Sequence, residues 1–146
     1  MKKIITTAVA ASAFAVCVAN EGLDKFVSGD GPAVYAAETV VRRVRPGAFA
    51  DNVGLKSVSL PDATSVGSGA FRGCVSLETV SLPNVADVSR FAGIFSGCPS
   101  LREVFLTAVD FTDVARMHGF PWGTTSSVVV FHFRNGNYDR SGRRIE

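Results

Sequence analysis

Residues 66–86 read VGSGAFRGCVSLETVSLPNVA, and the segments on either side repeat that line: VRPGAFADNVGLKSVSLPDAT over residues 44–64 and VSRFAGIFSGCPSLREVFLTAV over residues 88–109. Phe49, Phe71 and Phe95 fall in one phase, as do Leu55, Leu77 and Leu101, then Val58, Val80 and Val104, and finally Leu60, Leu82 and Leu106. The first interval is 22 residues and the second 24, the extra two lying between Val88 and Phe95. A recurring unit of this length points to a stacked architecture: one copy cannot bury its apolar side chains alone, so it rests them on the next.

Within each unit the physics is local. In LETVSL, side chains alternate, so Leu77, Val80 and Leu82 are expected inside while Thr79 and Ser81 face out, a short half-buried strand. Pro61 and Pro83 end the strand by removing a hydrogen-bond donor, and Asp62 or Asn84 starts the turn. Gly73 and Gly97 mark a backbone position expected to need positive φ, held in the first copy by Asp51, a residue type that tolerates that region. A degenerate fourth copy starts at Val114, with Val128 and Val130 placed 24 residues after Val104 and Leu106, Phe120 in place of the ladder phenylalanine and Thr125 in place of the leucine. The expected fold is an α/β-type repeat solenoid, a right-handed superhelix of short parallel strands joined by loops and short helical turns. It has about three full turns and a capping turn.

The pattern GAFRGCVSLETVSLPNV resembles the BspA-like leucine-rich repeat, a bacterial variant whose units run roughly I-x-x-x-A-F-x-x-C-x-x-L-x-x-V-x-L-P. The resemblance covers about residues 40 to 133, and the closing HFRNGNYDRSGRRIE looks like a tail carried by such repeats in bacterial and prophage reading frames. It implies surface adhesion or recognition of host proteins, as in some members of the family. Departures are Asn52 in place of the first-turn cysteine, the lengthened third unit, and the small number of turns for a large adhesive surface.

Composition narrows the function class. The chain has 146 residues, 47% of them hydrophobic and 19% charged, which suits one folded domain rather than a disordered tail. A formal charge of +2 argues against a nucleic-acid partner, although Arg42, Arg43 and Arg45 cluster near one end and Arg140, Arg143 and Arg144 near the other. MKKIITTAVAASAFAVCVAN has the basic start and apolar stretch of a secretory signal, with cleavage after Ala19 or, with a cleaner small-x-small match, after Ala15. An Ala-rich helix packed on the end of the solenoid has the same composition. The organisation expected is therefore a leader or apolar helix over residues 1–19, an N-terminal cap over 20–40, repeats over 41–133 and a polar basic tail over 134–146. No membrane span remains once the leader is removed. The localisation expected is secreted or cell-surface, or intracellular or virion-associated if the leader stays attached.

No residue set points to chemistry. His118 and His132 join no nucleophile, base and acid arrangement, and the glycines of GSGAF belong to the repeat rather than to a phosphate loop. The expectation is no enzyme, no cofactor and no metal site. Cys74 and Cys98 share a phase in successive turns, which allows either a buried thiol ladder or a disulfide, and two sulfurs without further ligands fall short of a zinc site. Lys56, Glu78 and Arg102 also share a phase, so charges of alternating sign stack from turn to turn.

The surface open to a protein partner is the outward strand face: Ser57, Ser59, Thr79, Ser81, Glu103 and Phe105, then Ser127 and Val129. It runs from small and polar to apolar, with Phe105, Val129 and Phe131 expected as an exposed patch near Trp122 unless the last turn covers them. Two functional readings follow: a protein-binding or adhesion module, and a structural or decorating repeat protein of a phage-derived or other assembly.

Overall fold

The computed structural model describes residues 34–36, 42–116 and 119–145. The leader at 1–19, most of the N-terminal cap at 20–40 and His118 lie outside them.

The elements run β1 (Val34–Ala36), β2 (Arg43–Val44), β3 (Ser57–Ser59), β4 (Ser65–Val66), β5 (Thr79–Ser81), β6 (Glu103–Leu106), α1 (Phe111–Ala115), β7 (Val130–Phe133), β8 (Gly136–Asp139) and β9 (Arg144–Ile145). One seven-stranded sheet, ordered β1-β3-β5-β6-β7-β8-β9, carries the turns, and β2 with β4 forms a separate two-stranded ladder. Pairing is parallel from β1 to β7 and antiparallel from β7 to β9. This is a β-solenoid of about four turns with little helix, the stacked-repeat fold expected from the period. Turns take most of the places where short helical segments were expected, and α1 is the only helix among the described residues.

The repeat phases become columns. Val58 pairs with Val80 and Val80 with Val104. Leu55, Leu77 and Leu101 are each fully buried, and each donates the same turn hydrogen bond, to Asn52, Cys74 and Cys98 respectively. Phe49 stacks on Phe71 at 5.3 Å between ring centroids and Phe71 on Phe95 at 6.1 Å. Backbone bonds also join the turns away from the main sheet, as from Asp51 N to Arg72 O at 2.7 Å and from Gly73 N to Ser96 O at 2.8 Å. The positive-φ position is where the sequence put it: Asp51 at +61°, Gly73 at +75° and Gly97 at +74°. A Cβ on Gly97 would lie 3.3 Å from the Cα of Gly73, so a side chain there would both strain the left-handed backbone and press the neighbouring turn.

Two expectations need correction. The first concerns the register of the last turn. Phe131 and Phe133, not Val128 and Val130, follow Val104 and Leu106, and Val128 is 67% exposed while Phe131 and Phe133 are buried. In the run VVVFHF a shift of one residue exchanges the faces, and the register that buries two phenylalanines removes more apolar surface than the one that buries valines. The second is the tail: residues 134–145 form the β8–β9 extension of the sheet, with Tyr138 in the core. The charge ladder stacks as expected. Lys56, Glu78 and Arg102 follow one another through backbone bonds from Glu78 N to Lys56 O and from Arg102 N to Glu78 O, but all three side chains are exposed and no ion pair forms between them among the described residues.

The final turn ends the phenylalanine column with a different residue. Trp122 lies 6.5 Å from Phe95 and packs edge-on against Phe91 at 5.0 Å. Phe91 stands in the lengthened part of the third unit. Phe120 packs over Trp122 and Phe131, and Phe111 of α1 stacks on Tyr138 at 4.1 Å. Asp110, just before α1, makes two charge-assisted bonds to Arg134 at 2.9 and 2.7 Å, which tie the helix to the sheet.

Candidate partner-binding face

The outward positions of the parallel sheet make two columns. One runs Ser57, Thr79, Glu103, Val130 and the other Ser59, Ser81, Phe105, His132. Neighbours within a column are about 4.8 Å apart by the spacing of strands. Ser57, Ser59, Thr79, Ser81, Phe105 and His132 are half-buried, flanking fully buried Val58, Val80, Val104 and Phe131, as alternation requires. The four hydroxyls make no side-chain hydrogen bond among the described residues and are half-buried.

Character changes along the columns. Past the hydroxyls, Phe105 stacks face to face on His132, with ring centroids 4.2 Å apart and planes 7° apart. His132 Nδ1 lies 3.0 Å from Asn137 Oδ1 on β8, and its Nε2 lies 3.8 Å from Glu103 Oε1. With the proton on Nδ1 donated to Asn137, Nε2 has no hydrogen-bond partner and its nearest anion is just outside bonding reach. The result is a stacked aromatic pair, rimmed by a carboxylate and an amide, at one end of a polar strip.

Six of the expected contact residues therefore share this face: Ser57, Ser59, Thr79, Ser81, Glu103 and Phe105. Val129 and Phe131 do not. They are 2% and 0% exposed, as core residues, and Trp122 is 1% exposed, so the anticipated apolar patch is closed by the cap. His132 takes the place assigned to Val129 beside Phe105. The signal was in the sequence, since Phe131 and Phe133 flank His132 as an inward pair, but the repeat phase carried forward from Val104 masked it.

Cys74 and Cys98 are free and interior. Each thiol donates to a carbonyl of the preceding turn, Cys74 Sγ to Phe49 O and Cys98 Sγ to Phe71 O, both at 3.0 Å. Burial pushes Cys74 up to about 12 and Cys98 up to about 11, which leaves both as uncharged, weakly nucleophilic thiols at neutral pH. Among the described residues no group of His, Cys, Asp and Glu could hold a metal ion, and no helix is long and apolar enough to cross a membrane.

The family model described as BspA type leucine rich repeat region matches residues 38–115, in six copies. The chain belongs to the BspA-type leucine-rich repeat family. The match takes in the first three repeat units and stops before β7, where the phases also break down. Repeat domains of the BspA type and of leucine-rich repeats at large generally mediate protein binding or adhesion and are typically non-catalytic. Searches of curated proteins and of solved structures returned no match. For a BspA-type repeat, the repeated columns explain stacking, and the outward side chains of each strand are what distinguishes one turn from another.

Proposed function

We propose that this chain is a non-catalytic recognition module, secreted or displayed at a cell surface, that binds a protein through the outward face of its parallel sheet. The Phe105–His132 stack is the observation that carries this reading. An aromatic pair held in place by mutual stacking on the sheet contributes contact area at little entropic cost, which is what residues at the energetic centre of an interface do. Ser57, Ser59, Thr79 and Ser81 supply adaptable hydrogen bonding beside it, and Glu103 a single charge at the rim. Secretion rests on the basic, then apolar, start of the sequence.

Proteins crosslinked to the native full chain in intact cells identify the partner, and its affinity is then compared with that for Phe105→Asp. The charge in the aromatic patch is expected to weaken binding by about 2 kcal/mol, roughly thirtyfold, with the melting temperature within a few degrees of the parent. Equal affinity would remove the sheet face from the interface, and loss of folding would assign Phe105 to the cap. Sequencing the N-terminus of the mature protein from an extracellular fraction tests the location. An intact leader on protein found solely inside cells or particles would favour the assembly component instead.

A further inference from the structure

Away from the main sheet, the β2–β4 ladder places Arg43 beside Ser65, and Ser65 bridges in turn to Asp87. Val44, Val66 and Val88 are buried, so the residues alternating with them face out. Between the outward side chains lies a cleft of about 390 Å³ lined by Arg43, Arg45, Arg90, Ser65 and Asp87. Gly67 leaves the middle rung bare, and a Cβ there would lie 2.3 Å from Pro46 N, so the close approach of the turns forbids a side chain that would fill the cleft from below.

The charge is lopsided, with Arg43 and Arg90 beside one carboxylate. Asp87 is already engaged, accepting from Ser89 N at 2.9 Å. Arg43 and Arg90 are exposed and make no ion pair among the described residues. They reach the cleft from different turns, Arg43 from β2 and Arg90 from the turn that follows Asp87. Two guanidinium groups on different turns can each take a separate carboxylate of one acidic peptide. No aromatic side chain lines the cleft among the described residues, so it offers no stacking platform for a base or a sugar ring. Guanidinium forks bind carboxylates in a bidentate manner.

We propose that this cleft docks an acidic peptide segment of a protein partner, with Arg43 and Arg90 as its principal contacts. The site goes beyond the sheet-face reading and uses none of its residues, so failure of one leaves the other standing.

Fluorescence anisotropy of labelled hexaglutamate with the full chain tests it. Saturable binding that weakens with added salt is expected. Arg43→Glu and Arg90→Glu should each weaken it at least about tenfold, the loss of one charge-assisted contact, and Asp87→Asn should strengthen it. Arg116→Glu, an exposed residue just after α1 and outside the cleft, makes the same change in net charge and should leave binding within about twofold of the parent. An equal loss in Arg116→Glu would reduce the effect to net charge and overturn the site, as would absence of saturable binding. Binding of a heparin-derived oligosaccharide through Arg43 and Arg90, with none of hexaglutamate, would overturn the peptide assignment. Melting curves accompany each variant. If the arginine variants fail to fold, unchanged affinity in Asp87→Asn overturns the proposal.

Discussion

The middle turns and the last turn solve the same problem in different ways. Between Val44 and Leu106 the interior is built by repetition: phenylalanine rests on phenylalanine, valine on valine and leucine on leucine, and each turn makes the same backbone bonds to the next. From Val109 to Tyr138 nothing repeats. Trp122, Phe120, Phe131, Phe133, Phe111 and Tyr138 meet at edges and tilts, and an antiparallel hairpin ends the sheet. A repeating turn needs little beyond a neighbour of its own kind, whereas a terminal turn has to close an apolar face that no further copy covers. Dissimilar aromatics do this because their large areas fill irregular space and their edge-on packing is itself favourable.

The largest expected effect is at the junction of the two regions. Trp122→Ala removes the residue that closes the phenylalanine column and touches Phe91, Phe95, Phe120 and Phe131. It should cost about 3–5 kcal/mol in denaturant unfolding. A loss below about 1 kcal/mol would mean that the cap does not seal the column, and the contrast between the regions would dissolve.

A gain is expected in the first regular turn. Asn52 occupies the phase of Cys74 and Cys98 and is 5% exposed, but its Oδ1 and Nδ2 find no hydrogen-bond partner. Two unsatisfied buried polar atoms oppose folding, whereas a thiol loses little on burial. Asn52→Cys should raise stability by about 1–2 kcal/mol, seen as a higher denaturation midpoint at unchanged slope. A fall would show that the first turn does not use that phase as its successors do.

The smallest effect is in the hairpin. The Asp139 carboxyl accepts from the Ser141 hydroxyl at 2.5 Å and from Arg143 N at 3.0 Å. The Ser141 hydroxyl foremost, then the Arg143 backbone N–H, lowers its pKa to about 2. Because the folded value lies below the unfolded one, this contribution is complete above the ordinary carboxylate range near pH ~4 and is lost as pH falls through about 2. Melting temperatures in that window should fall less steeply for Asp139→Asn than for the parent. Parallel curves would leave Asp139 without a part in holding the hairpin.

How much could be read from the residues follows the same division. Phe49, Phe71 and Phe95 announced a column because identity at a fixed interval is visible without coordinates, and the glycine phase of residues 73 and 97 announced a left-handed backbone position for the same reason. The candidate face was legible wherever the alternation was anchored by that period, from Ser57 to Phe105. It failed at Val129, Phe131 and Trp122, where the interval from Val104 stretched to 27 residues and apolar residues stood in an unbroken run. The Arg43–Arg90 cleft had no motif of its own to announce it.

Stacked turns, their buried columns and membership in a repeat family were set by the order of residues alone, because each turn's nearest structural neighbour is its next copy along the chain. The alignment of β7, the place of the hairpin and the gathering of arginines around a bare glycine were decided only once the chain had packed. Each depends on which of several comparable apolar surfaces is covered best, and that is settled by side chains distant in sequence meeting in space.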